Sequence, residues 1–411
     1  MAERVKNISL LSQILIAFVL AVLAGIIFGP SIDVVQPLGD LFLRLIQFII
    51  VPLIVSSLIT GVASTGSMET LSRIGGKTIL YYVCSTFIAV SIGLIAAYLF
   101  SPGTGVDIST SRDVPEATET DGVISVLLNI IPTNPIESLS SGNILQVIFF
   151  SIFIGIGITM VGQKAEPVHR FFDSFAEIMY KITWVIMKLI PIGIFGLLAP
   201  IIGEYGLSVL MPLIKLISVV AIACIVHALI TYSVVVKTFA KMNPLKFFKG
   251  IAPATLVAFS TQSSSGTLPV TIKSSEDNLG VSKKISSFIL PLGATINMDG
   301  TSLYLSIAAL FTAQAYGIEL SFVQIMIIVL IGTLGSIGAA GVPGAGLVML
   351  TLVLTTLNLP LEAIAMIAGV DRFMDMFRTA VNITGDAAGA VVVNASEQQL
   401  GENADSANQA G

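Results

Sequence analysis

The chain has 411 residues, of which 55% are hydrophobic and 11% charged, with a formal net charge of −5; soluble domains carry about 25% charged residues. A mean hydropathy of +0.94 excludes an ordinary soluble enzyme, and no basic tract or aromatic–basic stripe points to nucleic acid. The apolar runs suit helices of about 20 residues crossing a bilayer, so the composition predicts one all-α polytopic membrane unit with short loops.

The first apolar stretch, Leu10 to Phe28, is too long for the hydrophobic core of a signal peptide and reads as a first span. Further apolar segments fall at 37–63, 78–100, 123–162, 171–202, 208–236, 285–313, 320–358 and 361–395. The polar end, 396–411, is expected to be disordered. Basic residues cluster at Arg4 and Lys6, at Arg73 and Lys77, at Lys164 and Arg170, and from Lys237 to Lys249; Lys273, Lys283 and Lys284 follow. Between the third and fourth spans, 101–122 holds five acids and only Arg112. Lys and Arg accumulate on the cytoplasmic side. The alternation therefore predicts about eight full spans in a cytoplasmic (cell inner) membrane, with N- and C-termini inside. Cys84 and Cys224 lie in apolar segments and read as packing residues. His169 and His227 have no metal-ligand spacing and read as structural.

Two regions are not simple spans. Residues 250–272 (IAPATLVAFSTQSSSGTLPVTIK) and 320–358 (containing GTLGSIGAAGVPGAG) are apolar arms around Ser, Gly and Pro. Gly and Pro disrupt helices, and non-helical backbone at membrane depth survives only where protein buries it or water lines it. Each region is predicted to be a re-entrant helical hairpin, the first opening inside and the second outside, as in an inverted repeat. Their unwound tips expose N–H groups and helix N-termini suited to a carboxylate. The bland alternative is close helix packing on small residues.

The segment between the hairpins holds GATINMDGTSLY (293–304), where Asn297 and Asp299 interrupt an apolar run beside Gly293 and Gly300. Freed carbonyls and a carboxylate are hard oxygen ligands, suited to Na⁺, and Tyr82, Ser85 and Thr86 in the third span offer further oxygens. The last apolar helix is GVDRFMDMFRTAVNITGDAAGAVVV (369–393). At about 100° per residue, Asp371, Asp375, Arg378, Asn382 and Asp386 fall within an arc of roughly 80°. Ionisable residues inside a membrane mark functional sites by default. A purely structural network, Arg378 paired with Asp371 or Asp375, leaves Asn382 and Asp386 unexplained.

On the motifs SSSGT (263–267), NMDGT (297–301), GVPGAG (341–346) and DMFRTAVNITGD (375–386), the chain resembles the glutamate transporter family, the dicarboxylate/amino acid:cation symporters. The resemblance covers essentially the whole membrane region. It implies eight transmembrane helices, two oppositely oriented hairpins and a homotrimer working as an elevator. The scaffold would comprise 1–76 and 123–207; the transport domain would comprise 77–122, with its external loop, and 208–395. By the same resemblance Arg378 would grip the substrate's side-chain carboxylate, helped by Thr301. Asp375 and Thr379 would hold the amino group, and Asn382, Ser264 and Ser265 the α-carboxylate. The second hairpin, Ile337 to Gly346, would be the gate. Gly293, Asn297, Asn382 and Asp386 would hold one Na⁺. Tyr82, Ser85, Thr86, Asn297 and Asp299 would hold another, and Thr295, Met298, Ser336, Ile337 and Ala339 would offer carbonyls to a third.

The implied function is Na⁺-coupled uptake of L-aspartate or L-glutamate, with no organic cofactor. Asp375 favours an amino acid over a C4-dicarboxylate, because an unpaired carboxylate facing a diacid is costly. Proton coupling through Asp299 or Asp386 and C4-dicarboxylate transport are the alternatives. An ion channel and a membrane-embedded enzyme are further readings; the SSSGT serines have no neighbouring base in sequence. The chain departs from the family pattern at Leu305, where mammalian members carry Glu, at Gln262, where archaeal members carry Arg, and at Met376, where mammalian members carry Arg.

Overall fold

The computed structural model describes residues 10–63, 71–105, 128, 131–335 and 344–409, and among them the regular structure is all helical. Four helical stretches are long and apolar enough to cross a membrane: Ser12–Phe42, Arg73–Phe100, Gln146–Ile186 and Leu210–Phe239. Shorter apolar helices lie at Val51–Ala63, Ile190–Glu204, Phe322–Gly335 and Ala345–Thr356.

The first packing group contains α1 (Leu10–Phe28), α2 (Gln36–Ala63), α5 (Ile144–Val161), α6 (Glu166–Met187) and α7 (Ile190–Tyr205); a short helix, α4 (Pro135–Ser141), leads into α5, while α3 (Gly76–Phe100) belongs elsewhere. Within the group α7 packs on α1 and α2, and α2 packs on α5 and α6. Small residues permit the close approach: a Cβ on Gly196 of α7 would lie 2.5 Å from the backbone nitrogen of Gly39 in α2.

The second group surrounds one long helix, α16 (Ala363–Gln409). Against it pack α8 (Leu210–His227), α9 (Ser233–Phe239), α10 (Pro244–Thr261), α11 (Ser264–Asp277), α12 (Lys283–Ile296), α13 (Asp299–Ala315) and α15 (Ala345–Thr356). The remaining helix, α14 (Phe322–Gly335), packs on α3 and α13, and α3 lies along α13. The groups meet mainly where α7 touches α16 and where α2 touches α15. At its far end α16 is tied to the start of α3. The Glu397 carboxylate accepts from Arg73 and from Lys77 Nζ, the latter at 2.9 Å. Burial works to raise the Glu397 carboxyl, but these two cations outweigh it and hold the group below its usual range.

Several expectations change. The apolar run 171–202 is two helices, α6 and α7, because Pro191 sits in the first turn of α7 and the chain turns at Lys188 and Leu189. The run 123–162 breaks at Gly142 (φ 71°), after which the Asn143 side chain caps α5. The tail expected to be disordered is helical through Gln409; it is rich in Ala, Glu and Gln and has no proline to stop the helix. The first hairpin leaves helical geometry only at Gln262 and Ser263, so Pro253 and Pro269 both lie inside helices. The expected apex of the second hairpin, 336–343, lies outside the described residues, as does all of 106–127, which holds the five acids of the expected external loop.

The helix pair at the centre of the second group is unusually close. A Cβ on Gly300 of α13 would sit 2.4 Å from the Arg378 carbonyl oxygen and 2.6 Å from its Cα, both backbone atoms of α16. Overpacking of this kind costs about 1–3 kcal/mol. Gly300→Ala is therefore expected to lower the unfolding temperature of the purified protein; an unchanged value would contradict this packing.

Candidate substrate and cation site

The site is built where two interruptions of helical geometry meet the middle of one continuous helix. The first hairpin supplies an end: Gln262 closes α10 in the left-handed conformation, and extended Ser263 opens α11, its hydroxyl accepting from Gly266 N at 3.0 Å. Ser264 and Ser265 are the first residues of α11, and the first N–H groups of a helix lack intrahelical acceptors. Ser264 is buried and Ser265 exposed. Between α12 and α13 the chain leaves helical geometry at Asn297 and Met298, as the NMDGT motif predicts. The polar stripe of α16 runs past both features, with Asp371, Asp375, Arg378, Asn382 and Asp386 all buried.

Arg378 is the centre of the stripe, with 0% of its surface exposed. Its Nη1 donates to Asp371 Oδ1 at 2.8 Å, and its Nη2 lies 2.9 Å from Asp375 Oδ1. The guanidinium carbon stacks 4.0 Å from the Tyr304 ring centre. Gly346 faces it closely: a Cβ there would fall 2.8 Å from both Nη1 and Nη2. Thr379 Oγ1 donates to Asp375 Oδ1 at 3.4 Å. Among the described residues, Asp375 Oδ2 and Arg378 Nε are buried without a hydrogen-bond partner. A cation and an anion are thus each left with unused capacity at the same place. A ligand carrying both an ammonium and a carboxylate matches both.

Two oxygen clusters gather around the α12–α13 break. In one, Asp299 is surrounded by donors. Ser85 Oγ donates to Oδ2, Thr86 Oγ1 donates to Oδ1 at 2.8 Å, and the Tyr232 hydroxyl donates to Oδ2 at 2.8 Å. In the other, Asn297 Nδ2 donates to Asp386 Oδ1 at 2.8 Å and to the Asn382 carbonyl at 3.1 Å, while Asn297 Oδ1 has no partner among the described residues. Asn382 ties the Asp386 cluster to the start of α13. Its Oδ1 accepts from Gly300 N at 2.8 Å, and its Nδ2 lies 3.2 Å from Met298 Sδ and 3.4 Å from Thr301 Oγ1. The Tyr82 hydroxyl donates to the Ile289 carbonyl at 3.1 Å and borders the Asp386 cluster: a Cβ on Gly293 would lie 2.5 Å from that hydroxyl and 2.6 Å from Asp386 Oδ1. Thr295 spends its hydroxyl on the Leu292 carbonyl at 2.9 Å. Ser336, Ile337 and Ala339 lie outside the described residues.

His227, read from sequence as structural, sits inside the Asp299 cluster. Its Nε2 is 3.2 Å from Asp299 Oδ2, and its Nδ1 is 3.2 Å from Thr231 Oγ1. Tyr232 was also missed. On a regular helix these two residues would point about 140° apart. A π-helical turn at Ala228–Tyr232 widens the winding and turns both toward Asp299. The available signal was a lone ionisable residue in an apolar span, which always needs a partner. The two cysteines are free. Cys224 is buried as expected, whereas Cys84 is exposed on the outward face of α3 with Leu80, Phe87 and Ile88.

Comparison with known proteins gives one consistent picture. The model of the sodium:dicarboxylate symporter family matches residues 10–396. The chain is 39% identical to the proton/sodium-glutamate symport protein of Geobacillus stearothermophilus over 97% of its own length and 96% of that protein. It is 38% identical to the proton/glutamate-aspartate symporter of Escherichia coli (strain K12), covering 94% of this chain and 93% of the relative. It is 35% identical to the C4-dicarboxylate transport protein of Bacillus subtilis (strain 168), covering 97% and 95%.

The space between Tyr82, Asp386 and Gly293 yields a direct test. Gly293→Ala would put a methyl group into it, and hard-cation binding at Asp386 is expected to weaken. The readout is the thermal stabilisation of the purified protein by Na⁺ relative to choline. An unchanged Na⁺ response would exclude this space as the place where the ion binds.

Proposed function

The chain belongs to the sodium:dicarboxylate symporter family, whose members are membrane transporters of small acidic substrates and not enzymes, and on that premise we propose that it imports L-aspartate or L-glutamate in symport with Na⁺. The observation that carries this reading is the fully buried Arg378 beside Asp375, each with an unpartnered polar atom. A planar guanidinium fork suits a carboxylate, so Arg378 takes the substrate's side-chain carboxylate, with Thr301 beside it. Asp375 and Thr379 take the ammonium. Asn382 and the N–H groups of Ser264 and Ser265 take the α-carboxylate, and Gly346 lies on the gating second hairpin. A C4-dicarboxylate would leave Asp375 facing another anion, which disfavours it.

The hard-oxygen clusters at Asp299 and Asp386 are assigned to Na⁺. Gly293, Asn297 and Asn382 complete the Asp386 site, with Tyr82 adjoining. Ser85, Thr86 and Asn297 serve the Asp299 site, and Thr295 and Met298 serve a third with Ser336, Ile337 and Ala339 of the second hairpin. A second reading, proton coupling, draws on the printed names of the relatives, one a proton/sodium and one a proton symporter, and on the same two buried carboxylates, which could carry protons in place of ions.

The architecture proposed for this function has eight spans and two oppositely oriented re-entrant hairpins, related by inverted repeats, in a cytoplasmic membrane with both termini inside. Segregation of the helices into two packing groups supports an elevator. The group with α1, α2 and α5 to α7 would be the fixed scaffold of a homotrimer, and the group around α16 would carry the substrate across.

The function is tested by uptake of radiolabelled L-aspartate into proteoliposomes, with a Na⁺ gradient in one sample and a proton gradient without Na⁺ in another. Uptake driven by Na⁺ is expected; uptake driven by protons alone would overturn the ion assignment and keep the substrate. In the same assay Arg378→Cys is expected to abolish L-aspartate uptake while the protein remains folded. Unchanged L-aspartate affinity in this variant would overturn the assigned orientation of the substrate.

A further inference from the structure

Gln262 occupies the turn of the first hairpin with φ 55° and ψ 33°. This left-handed conformation is usual for Gly, and less so for Asn or Asp, but uncommon for other residues. An outlier of this kind persists only where its surroundings hold it. The side chain is buried, and both ends of its amide are used by one residue. Gln262 Nε2 donates to the Arg372 carbonyl at 3.1 Å, and Gln262 Oε1 accepts from Arg372 Nη1 at 2.7 Å. Arg372 is itself buried, with 6% of its surface exposed. It forms no ion pair within 4 Å among the described residues, since Asp371 and Asp375 are both engaged by Arg378. A buried cation is thus held by an amide at the end of a strained turn. The next residue, Ser263, is the cap that starts α11 and directs the Ser264 and Ser265 N–H groups.

We propose that Arg372 is the positioning residue of the first hairpin: by clamping the Gln262 side chain it holds the turn, and with it the α11 N–H groups, in place for the substrate. Arg372 touches no substrate in this scheme; it acts through Gln262. The part of the proposal that concerns substrate rests on the assignment of Ser264 and Ser265 to the α-carboxylate made above. The clamp itself does not depend on that assignment. The physical case is that one residue pair joins two elements far apart in sequence at the one place where the hairpin backbone leaves helical geometry. Hydrogen bonds made by charged groups are stronger than neutral ones, and leaving a buried guanidinium without its acceptor is costly.

The test uses the full-length protein in lipid nanodiscs and two readouts. The first is hydrogen–deuterium exchange of the peptides covering 258–268 in the substrate-free protein. The second is L-aspartate affinity in Na⁺. Q262G removes the side chain and relieves the backbone conformation, since glycine adopts positive φ freely, so the fold is expected to survive. R372A removes the other partner, and Q262R/R372Q exchanges the two. Both single variants are expected to speed exchange at the hairpin turn and to weaken L-aspartate binding about tenfold or more. The exchanged pair is expected to recover most of both losses, which a purely volumetric role for Arg372 would not produce. Unchanged exchange at 258–268 in Q262G and R372A would overturn the clamp. Faster exchange with unchanged L-aspartate affinity would overturn the positioning role. A wild-type protein that fails to bind L-aspartate, while both single variants speed exchange and the exchanged pair restores protection, would support the clamp and overturn the substrate proposed above.

Discussion

A guanidinium without solvent contact, sunk in an apolar helix bundle, has to be neutralised where it stands. Arg378 meets this condition with Asp371 and Asp375 from its own helix, and the rest of the site is arranged around that necessity. Breaking a buried pair by removing one partner costs about 3–5 kcal/mol, so neither carboxylate can leave unless another charge replaces it. On the proposed function, an amino-acid substrate would bring the replacements with it: a carboxylate for Arg378 and an ammonium for Asp375. Substrate recognition would then be an exchange of ion pairs inside a buried site and not the burial of new charges. The Tyr304 ring covers one face of the guanidinium, and the fork has room for its nitrogens beside Gly346 because no Cβ stands there.

The same logic extends to the cation clusters. Asp299 and Asp386 are buried with no basic side chain among the hydrogen-bond partners described, other than the imidazole of His227 beside Asp299. Hydroxyl and amide donors hold them: Ser85, Thr86 and Tyr232 at one, Asn297 at the other. Hydroxyls that donate to a carboxylate still present lone pairs to a cation, whereas an imidazole N–H presents none. Asn382 would join the proposed cation side to the proposed substrate side, because its one amide reaches Gly300 N, Met298 Sδ and Thr301 Oγ1. Movement of the α12–α13 break in response to an ion would therefore be felt at Thr301, one helical turn from the Tyr304 ring that covers Arg378.

Much of this was legible in the sequence because membrane burial makes polar residues conspicuous. Asp371, Asp375, Arg378, Asn382 and Asp386 stand out on an apolar helix, and their spacing alone puts them on one face. Asn297 and Met298 break their span as the motif implied. What was not legible depended on local winding or on contacts across the chain. His227 and Tyr232 reach Asp299 only because a π-helical turn replaces regular geometry. The partnership of Gln262 with Arg372 spans 110 residues and has no local signature. The division of 171–202 turned on Pro191, whose effect an averaged run of apolar residues conceals. The helical tail shows the reverse: low hydrophobicity argued for disorder, but helix-forming residues continue α16 outward from a well-packed core.

The central claim is that the unpartnered Asp375 oxygen is kept for an ammonium group. Equilibrium binding of L-aspartate and of succinate to the purified protein, in the same Na⁺ buffer, tests it most directly, because the two ligands differ at that group alone. Tight binding of L-aspartate, with succinate weaker by about tenfold or more, is the expected result. Succinate binding as tightly as L-aspartate would contradict it and would make Asp375 a partner of Arg378 alone.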